Sequence, residues 1–277
     1  MKKVLLTLVT FTGVLFLSCS RDSEPSAPQQ VTFHCSGFTV EQQSLSPLRR
    51  SAQELIDDGN AMTDLYLFNG STQLVHQVST QEDFGTITVL LPLGEHHLHF
   101  VATRSTGLSY DAGVLSCTSL RPTFGKHLDL SVSGASDNNV ALERITGQLS
   151  IIIEDEVPAG ASTLTVELSP WYRDMNVTTF AGVTQSDFSQ TINITSRVGT
   201  TNNTWTINII TPSYGVQYEP TYTLTARNGS DQIIGQATGT VPLVTNTKTI
   251  LRGSIFQGNR SVVTLNTAWN ADINESF

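Results

Sequence analysis

The sequence predicts an all-β protein built from sandwiches or barrels, because three patterns recur along it. Apolar and polar residues alternate in short runs, the period of a half-buried strand, and helical periodicity is nearly absent. Asn-Gly pairs separate several runs, as at Asn69-Gly70 and Asn228-Gly229, and favour tight hairpins because both residues tolerate positive φ. Charged residues make up only 14% of the chain, while Thr, Ser, Asn and Gly recur, a composition typical of exported β-proteins.

Residues 1–18 predict a signal peptide rather than a membrane-spanning helix. Lys2 and Lys3 form a short positive region, and an uncharged, largely apolar run extends from Val4 to Leu17. That run is too short to span a bilayer, which needs about 20 apolar residues. We therefore expect the chain to be exported.

The end of this run indicates where the signal peptide is cleaved. It reads Phe-Leu-Ser-Cys, without an Ala-x-Ala pattern, and resembles a bacterial lipoprotein lipobox, with Ser18 as in the Bacteroidota version and Phe16 where Leu is usual. The resemblance implies cleavage before Cys19 and lipidation of its thiol. Each methylene group of the acyl chains that is buried in the bilayer contributes about 0.8 kcal/mol to membrane binding. Residues 19–30 then form a polar, lipidated tether. The alternative is an ordinary signal peptide with an incidental cysteine.

The charge of the chain excludes one class of partner. Acidic residues number 24 against 15 basic ones, a formal net charge of −9. Loss of Lys2 and Lys3 with the signal peptide makes the mature chain more acidic still. Nucleic-acid binding requires basic stripes, so we expect no nucleic-acid partner. The charge does not distinguish a protein partner from a glycan.

Turn residues bound the stretches of alternating residues that predict strands. In chain order these stretches are 31–40, 62–79, 85–103, 147–155, 162–170, 189–195, 204–210, 220–239 and 259–269. Only residues 51–61 could hold a short helix, which would end at Gly59. A cluster rich in Ser, Gly, Asp and Asn at 131–140 predicts a domain boundary, so we divide the ectodomain into residues 31–138 and 139–277.

Two cysteines remain after Cys19. Cys35 follows Val31 and Phe33 at alternate positions, so its thiol shares a face with apolar neighbours, and Cys117 follows Leu115 in the same way. An oxidising compartment allows a Cys35–Cys117 disulfide. Two buried free thiols are an equal alternative, since free cysteine is among the most buried residue types and connectivity cannot be deduced from sequence.

The histidine-rich stretch Glu95 to Phe100 is the sharpest candidate for chemistry. His97 and His99 lie two apart on a predicted strand and share one face, while Leu98 and Phe100 share the other. Two imidazoles and a carboxylate could ligate zinc, but Glu95 lies at the turn that precedes the predicted strand, and the sequence offers no other obvious third protein ligand. We interpret the stretch as a solvent-facing strand edge that carries polar residues, and expect no metal.

Motifs for nucleophilic or metal-assisted catalysis do not occur. The sequence contains no Gly-x-Ser-x-Gly, no His-Glu-x-x-His and no P-loop. The acidic triplet Glu154, Asp155 and Glu156 closes a predicted strand, and we interpret it as a solvated loop, with a weak cation site as the alternative. We therefore expect that the protein is not an enzyme and needs no cofactor.

Aromatic residues and sequons carry weaker signals. Trp171, Tyr172 and Trp269 could stack on sugars, but aromatic side chains gain most from burial in a core or interface, so we expect them to be buried. Asn-x-Ser/Thr sequons, such as those at Asn176 and Asn193, reflect composition, because a bacterial lipoprotein is not expected to use them as glycan acceptors.

The order of these patterns resembles the fimbrillin and fimbrial-anchor superfamily of Bacteroidales type V fimbriae. The resemblance covers nearly the whole chain and rests on strand and turn patterns rather than on catalytic residues. After the lipoprotein signal the stretches that carry it are VTFHCSGF (31–38), MTDLYLFNGSTQLV (62–75), ITVLLPLGEHHLHFVAT (87–103), LERITGQLSIIIEDEVP (142–158) and TILRGSIFQGNRSVVTLNTAW (249–269). The resemblance implies two transthyretin-like Greek-key β-sandwiches in tandem, a location at the cell outer membrane and other fimbrial subunits as partners.

The basic pair Arg49-Arg50 separates two roles that the resemblance implies. In an anchor subunit the pair is only a basic loop, Cys19 stays as the lipidated N-terminus, and strands added between subunits hold them together. In a polymerising or tip subunit a protease cleaves at the pair and removes residues 31–49. We favour the anchor-like role, with a host or bacterial surface ligand as a further partner class. A surface glycan-binding lipoprotein is the other alternative.

Overall fold

The computed structural model describes residues 27–36, 62–256 and, for the backbone only, 260–266. Its regular structure is β apart from one 3-10 turn at Thr195–Arg197, and α-helix is not found in the described ranges. The all-β prediction is confirmed. The helix predicted for residues 51–61 lies outside the described residues. Within those residues, no helix is long and apolar enough to cross a membrane.

The first half of the chain forms a sandwich of two sheets. Its strands, with a short hairpin inserted, are β1 (Gln29–Ser36), β2 (Asp64–Asn69), β3 (Thr72–Val78), β4 (Thr86–Leu91), β5 (Gly94–Thr103), β6 (Ser109–Asp111), β7 (Val114–Ser116), β8 (Thr123–Val132), β9 (Ser136–Ala141) and β10 (Glu143–Arg144). One sheet has the order β4-β1-β9 and the other the order β10-β8-β5-β2-β3. Leu65, Leu67, Leu98 and Phe100 are fully buried between the sheets, as the alternation on β2 and β5 requires.

The second half repeats this arrangement. Its strands are β11 (Gly147–Ile153), β12 (Ala161–Tyr172), β13 (Met175–Asn176), β14 (Gln185–Asn193), β15 (Asn203–Ile209), β16 (Thr221–Asn228), β17 (Ile233–Thr240), β18 (Lys248–Ser254) and β19 (Arg260–Asn266). The sheets have the orders β15-β11-β18-β19 and β14-β12-β16-β17. β11 runs antiparallel to β15 and parallel to β18, just as β1 runs antiparallel to β4 and parallel to β9. The sandwiches therefore share a topology.

The boundary between the two sandwiches lies later in the chain than the predicted division between residues 138 and 139. β9 spans that position and pairs with β1, and β10 pairs with β8, so both strands belong to the first sandwich. The second sandwich begins with β11 at Gly147. The polar cluster at 131–140 covers the end of β8, the turn that follows it and most of β9. Its composition is similar to that of a linker, although most of it is strand.

Both Asn-Gly hairpins are confirmed. Gly70 has a φ of 55° in the turn between β2 and β3. Between β16 and β17 the residue with positive φ is Asp231, at 63°, rather than Gly229. The Asn228 side chain organises that turn, because its Oδ1 accepts hydrogen bonds from the backbone N–H groups of Ser230 and Gln232.

A third apolar cluster joins the two sandwiches. On the outer face of the five-stranded sheet, Tyr66, Phe68 and Val101 pack with Val177 and Phe180, which follow β12 in the second half of the chain. The inserted strands β6 and β7 contribute to this junction, since β7 pairs with β13. The sandwiches are thus joined by buried apolar side chains as well as by the chain itself.

Replacing Gly125 with alanine should destabilise this junction by about 1–3 kcal/mol, the usual cost of overpacking. An added Cβ would lie 2.7 Å from Cζ of Phe180 and 2.9 Å from the carbonyl oxygen of Phe100. β8 cannot shift aside easily because β5 and β10 pair with it at this position. Urea unfolding measures the loss. Gly134→Ala is the control, since nothing lies within 4 Å of its added Cβ, and equal stability of the two variants would contradict the expectation.

Candidate functional site

The first strand occupies the centre of its sheet, between β4 and β9. Residues 29–34 of β1 pair with residues 86–91 of β4, and residues 31–36 pair in parallel with residues 136–141 of β9. β1 is joined to these neighbours only through sheet pairing, since β4 and β9 both follow it at a distance in the chain. Without β1, a groove of unpaired backbone groups would separate the two neighbouring strands.

The side chains of β1 divide into a buried and an outer face. Val31 and Phe33 are 0% exposed and Cys35 is 2% exposed, so the inner face contributes fully to the core. On the outer face Thr32 contacts the hydroxyl of Thr88, at 3.2 Å. His34 pairs with Asp137 there at 2.8 Å. A strand that fills a groove over an apolar core needs this alternation of buried and outward-facing side chains.

Cys35 and Cys117 are both buried and free in the structure. Burial raises the pKa of the Cys35 thiol to about 12. Burial, with the nearby Asp174 carboxylate adding to it, raises the pKa of Cys117 to about 11. Cys35 lies in the core of the first sandwich, whereas Cys117 lies near the carbonyl of Arg173. The structure therefore has two free thiols rather than a Cys35–Cys117 disulfide. β1 is therefore held by pairing and packing rather than by a disulfide.

The predicted histidine pair lies on a central strand rather than at a sheet edge. β5 is flanked by β2 and β8, which both pair with it along the sheet. His97 is exposed, and its Nδ1 lies 2.7 Å from Oδ1 of Asp129. His99 is only 8% exposed, and its partner is His127 of β8, which the sequence did not single out.

His99 and His127 form a hydrogen-bonded imidazole pair at the junction. One Nδ1–H donates to the other Nδ1 across 2.7 Å, which requires one of the two nitrogens to be unprotonated. The His127 ring also stacks on Phe180 of the second half, with centroids 3.9 Å apart. Burial, with the neighbouring His127 and His97 adding to it, lowers the pKa of His99 to about 4. Burial lowers the pKa of His127 as well.

These histidines do not form a metal site with Glu95. Within the described ranges, no group of three or more His, Cys, Asp or Glu side chains has the arrangement of a metal centre. The pairing of His99 with His127 and of His97 with Asp129 instead gives each ring a protein partner.

The acidic triplet has a structural role that the sequence did not indicate. Asp155 is 8% exposed, and its carboxylate accepts hydrogen bonds from the backbone N–H groups of Ile255 and Phe256, at 3.3 and 2.6 Å. Glu154 pairs with Arg252 at 3.2 Å. Both contacts tie the end of β11 to the end of β18, so the interpretation of the triplet as a solvated loop is wrong for Asp155.

The aromatic and sequon residues also have structural contacts. Trp171 is 6% exposed and belongs to the core of the second sandwich, and Tyr172 packs edge-to-face on Tyr218. Asn176 and Asn193 each accept hydrogen bonds from backbone and hydroxyl groups two residues later, which closes local turns.

Some predicted residues lie outside the described ranges. They are Cys19, Arg49, Arg50 and Trp269. Phe180 is the important residue that the sequence reasoning missed. It has a φ of 55° and is 2% exposed, and its neighbours in the chain form no periodic pattern that would announce it.

Comparisons with known proteins identify the fold. No family model and no curated protein sequence matches the chain. A crystal structure of a candidate adhesin from Bacteroides ovatus matches with a TM-score of 0.54 and 9% identity, over 82% of this chain and 88% of that one. A candidate polysaccharide-binding protein from Bacteroides thetaiotaomicron matches with a TM-score of 0.48 and 11% identity, over 87% of this chain and 96% of that one.

The fimbrial anchor protein Mfa2 from Porphyromonas gingivalis also matches, with a TM-score of 0.40 and 10% identity, over 87% of this chain and 98% of that one. At these identities the similarity shows the fold and not the activity. The chain has the two-sandwich fold of the Bacteroides adhesin.

Proposed function

We propose that this chain is a lipoprotein of the outer membrane that acts as an anchor-like fimbrial subunit at the cell surface. Cys19 carries the lipid, the residues between Cys19 and β1 form the tether, and β1, which begins at Gln29, stays in its own sandwich. The observation that supports this proposal best is the position of β1, which follows the tether directly and fills the centre of its sheet with three buried side chains. A lipid on Cys19 would thereby be connected to the folded domain through a strand that is difficult to extract.

Strand addition is the proposed means of contact with neighbouring subunits. Among the described strands, β4 and β9 each pair on one side only, so each has a second row of backbone N–H and C=O groups. An extended segment of a neighbour gains main-chain hydrogen bonds at such an edge, and its alternate side chains supply specificity. We also propose a role in assembly rather than catalysis, because the sequence contains none of the nucleophile or metal motifs of enzymes.

The polymerising role remains the second candidate, and one observation favours it. Cleavage at Arg49-Arg50 would separate the whole of β1, a central strand, from the rest of the chain. Its removal would leave β4 and β9 on either side of an apolar groove that a neighbour's strand could fill. The two roles therefore differ only in whether β1 belongs to this chain or to its neighbour.

Replacing Cys19 with serine should release the protein from the membrane fraction, because the thiol that receives the lipid is removed. Incorporation of labelled palmitate and fractionation of membranes measure the effect. Ser20→Ala is the matched control and should remain lipidated and membrane-bound. Membrane attachment of the Cys19→Ser variant at the wild-type level would contradict the proposed anchor.

A double replacement of Arg49 and Arg50 by alanine separates the two roles. In the anchor-like role the variant should reach the surface with the same N-terminus and in the same amount as the wild type. Loss of fimbrial assembly together with accumulation of a longer chain would instead support the polymerising role.

A further inference from the structure

A groove of about 430 Å³ opens on the second sandwich between the edge strands of its two sheets. β14 contributes one wall and β15 the other, and residues 118–121, which precede β8, also line it. Volumes of 300 to 1,000 Å³ are usual for sites that bind small molecules, so the groove is large enough for a ligand of about two or three sugar rings.

The lining is polar apart from a small aromatic and aliphatic part. Trp171 and Phe188 provide the aromatic part, with ring centroids 4.8 Å apart, and Leu120 and Ile207 are the other apolar residues. All remaining lining residues carry hydroxyl, amide or charged groups. A ligand that presents both hydroxyl groups and an apolar ring face suits this combination of polar and apolar residues. A peptide that binds through one large buried side chain would need a deeper apolar pocket.

Two arginines and one carboxylate, Asp187, line the groove, so its charged side chains carry a net positive charge in an acidic protein. Arg121 is exposed, and it belongs to none of the ion pairs found among the described residues. Arg173 contacts its neighbour Asp174 only at 3.5 Å, through Nε, which leaves its terminal nitrogens for another partner. The guanidinium fork matches a carboxylate with two parallel hydrogen bonds, so an anionic group is the expected partner.

Asn208 supplies independent evidence for a polar ligand. Its side-chain oxygen Oδ1 is buried and has no hydrogen-bond partner among the described residues, although most buried polar atoms have one. The residue lines the groove. Rotation of the side chain toward the groove would let a ligand hydroxyl satisfy this acceptor. Asp187, on the opposite strand, already accepts a hydrogen bond from Ser169 at 2.6 Å through one oxygen and offers the other.

We infer that this groove binds a carboxylated saccharide, with the carboxylate at Arg121 and Arg173 and the ring hydroxyls at Asn208 and the neighbouring polar groups. Phe188, which packs on the buried Trp171, provides the apolar contact for a ring face. This role is separate from the proposed part in fimbrial assembly, since no residue of β1, β4 or β9 lines the groove.

Isothermal titration of the folded ectodomain tests the inference with trigalacturonate and 3′-sialyllactose, each compared with its neutral counterpart, galactotriose or lactose. At least one acidic sugar should bind, and its neutral counterpart should bind at least about tenfold more weakly. Arg121→Ala should lower the affinity for the acidic sugar by a similar factor, and Asn208→Ala should lower it as well. Arg197→Ala, which removes an exposed arginine outside the groove, should leave it unchanged.

Three results would overturn the inference. The first is the absence of binding by both acidic sugars at millimolar concentration. The second is binding that Arg121→Ala and Arg197→Ala affect equally, which would place the sugar elsewhere on the surface. The third is binding of tetraglutamate with the same dependence on Arg121, which would make the ligand a peptide. Thermal unfolding of each variant confirms that the fold is intact.

Discussion

Replacing Phe33 with alanine should destabilise the first sandwich by about 3–5 kcal/mol, the usual cost of deleting a buried aromatic ring. Phe33 is 0% exposed, and its ring packs edge-to-face on Phe100 with centroids 5.2 Å apart. Because β1 lies between two strands that do not pair with each other, the surrounding structure has little freedom to close over the cavity. Unfolding in urea, followed by circular dichroism, measures the change.

The neighbouring Thr32 provides the matched control for this experiment. Its side chain points to the outer face and contacts only the hydroxyl of Thr88, so Thr32→Ala should cost no more than about 1 kcal/mol. Similar losses for the two variants would mean that β1 is not a core strand. The proposed function would then lose the observation that supports it best.

Acidification from about pH 6.5 to pH 4 should weaken the junction between the sandwiches, because His99 is neutral in the folded state. Its pKa is about 4 when folded and near the ordinary 6.5 when unfolded. A lowered pKa means that the unfolded chain takes up the proton first, so this stabilisation is complete above pH 6.5 and is lost as the pH falls toward 4. The expected loss is on the order of 2 kcal/mol.

The charged and titratable groups around His99 come from its own strand and from the neighbouring strand β8. They are His127, His97, Asp129 and, next to His127, Lys126. Protonation of both rings of the pair would remove their hydrogen bond and place two cations beside Phe180. We therefore expect a fall in pH to destabilise the junction before it destabilises the rest of the protein.

Urea unfolding between pH 4 and 7 checks this expectation with His99→Gln and the control His97→Gln. The His99 variant should be less stable than the wild type at pH 7, and the difference should shrink as the pH falls. His97 is exposed, so its replacement should leave the pH dependence close to that of the wild type. A stability difference for His99→Gln that stays constant with pH would contradict the assigned protonation state.

The sequence allows prediction of the features that depend on local patterns. Alternation alone places Val31, Phe33 and Cys35 on one buried face, and Asn-Gly pairs locate the hairpins at Asn69 and Asn228. These features depend on residues close together in the chain, where the period of a strand and the φ preferences of turn residues act directly.

Features that depend on distant contacts could not be predicted in this way. His99 lies next to His127 only because β5 and β8 pair, and Phe180 is buried only because a loop of the second half packs against the first sandwich. The polar strand β9 resembles a linker in composition. It pairs with β1, which lies about a hundred residues earlier in the chain. The shared topology of the two sandwiches could not be predicted either, because the two halves of the sequence show no close repeat.

Whether β1 stays with the mature chain is tested most directly by mass spectrometry of the N-terminal peptide of protein purified from the cell surface. The proposed anchor-like role predicts a mature chain that begins at Cys19, carries lipid on that residue and still contains the whole of β1. A chain that begins at Arg50 or Ser51 would contradict that role, because the first strand would then have been removed and the groove between β4 and β9 left for the strand of a neighbour.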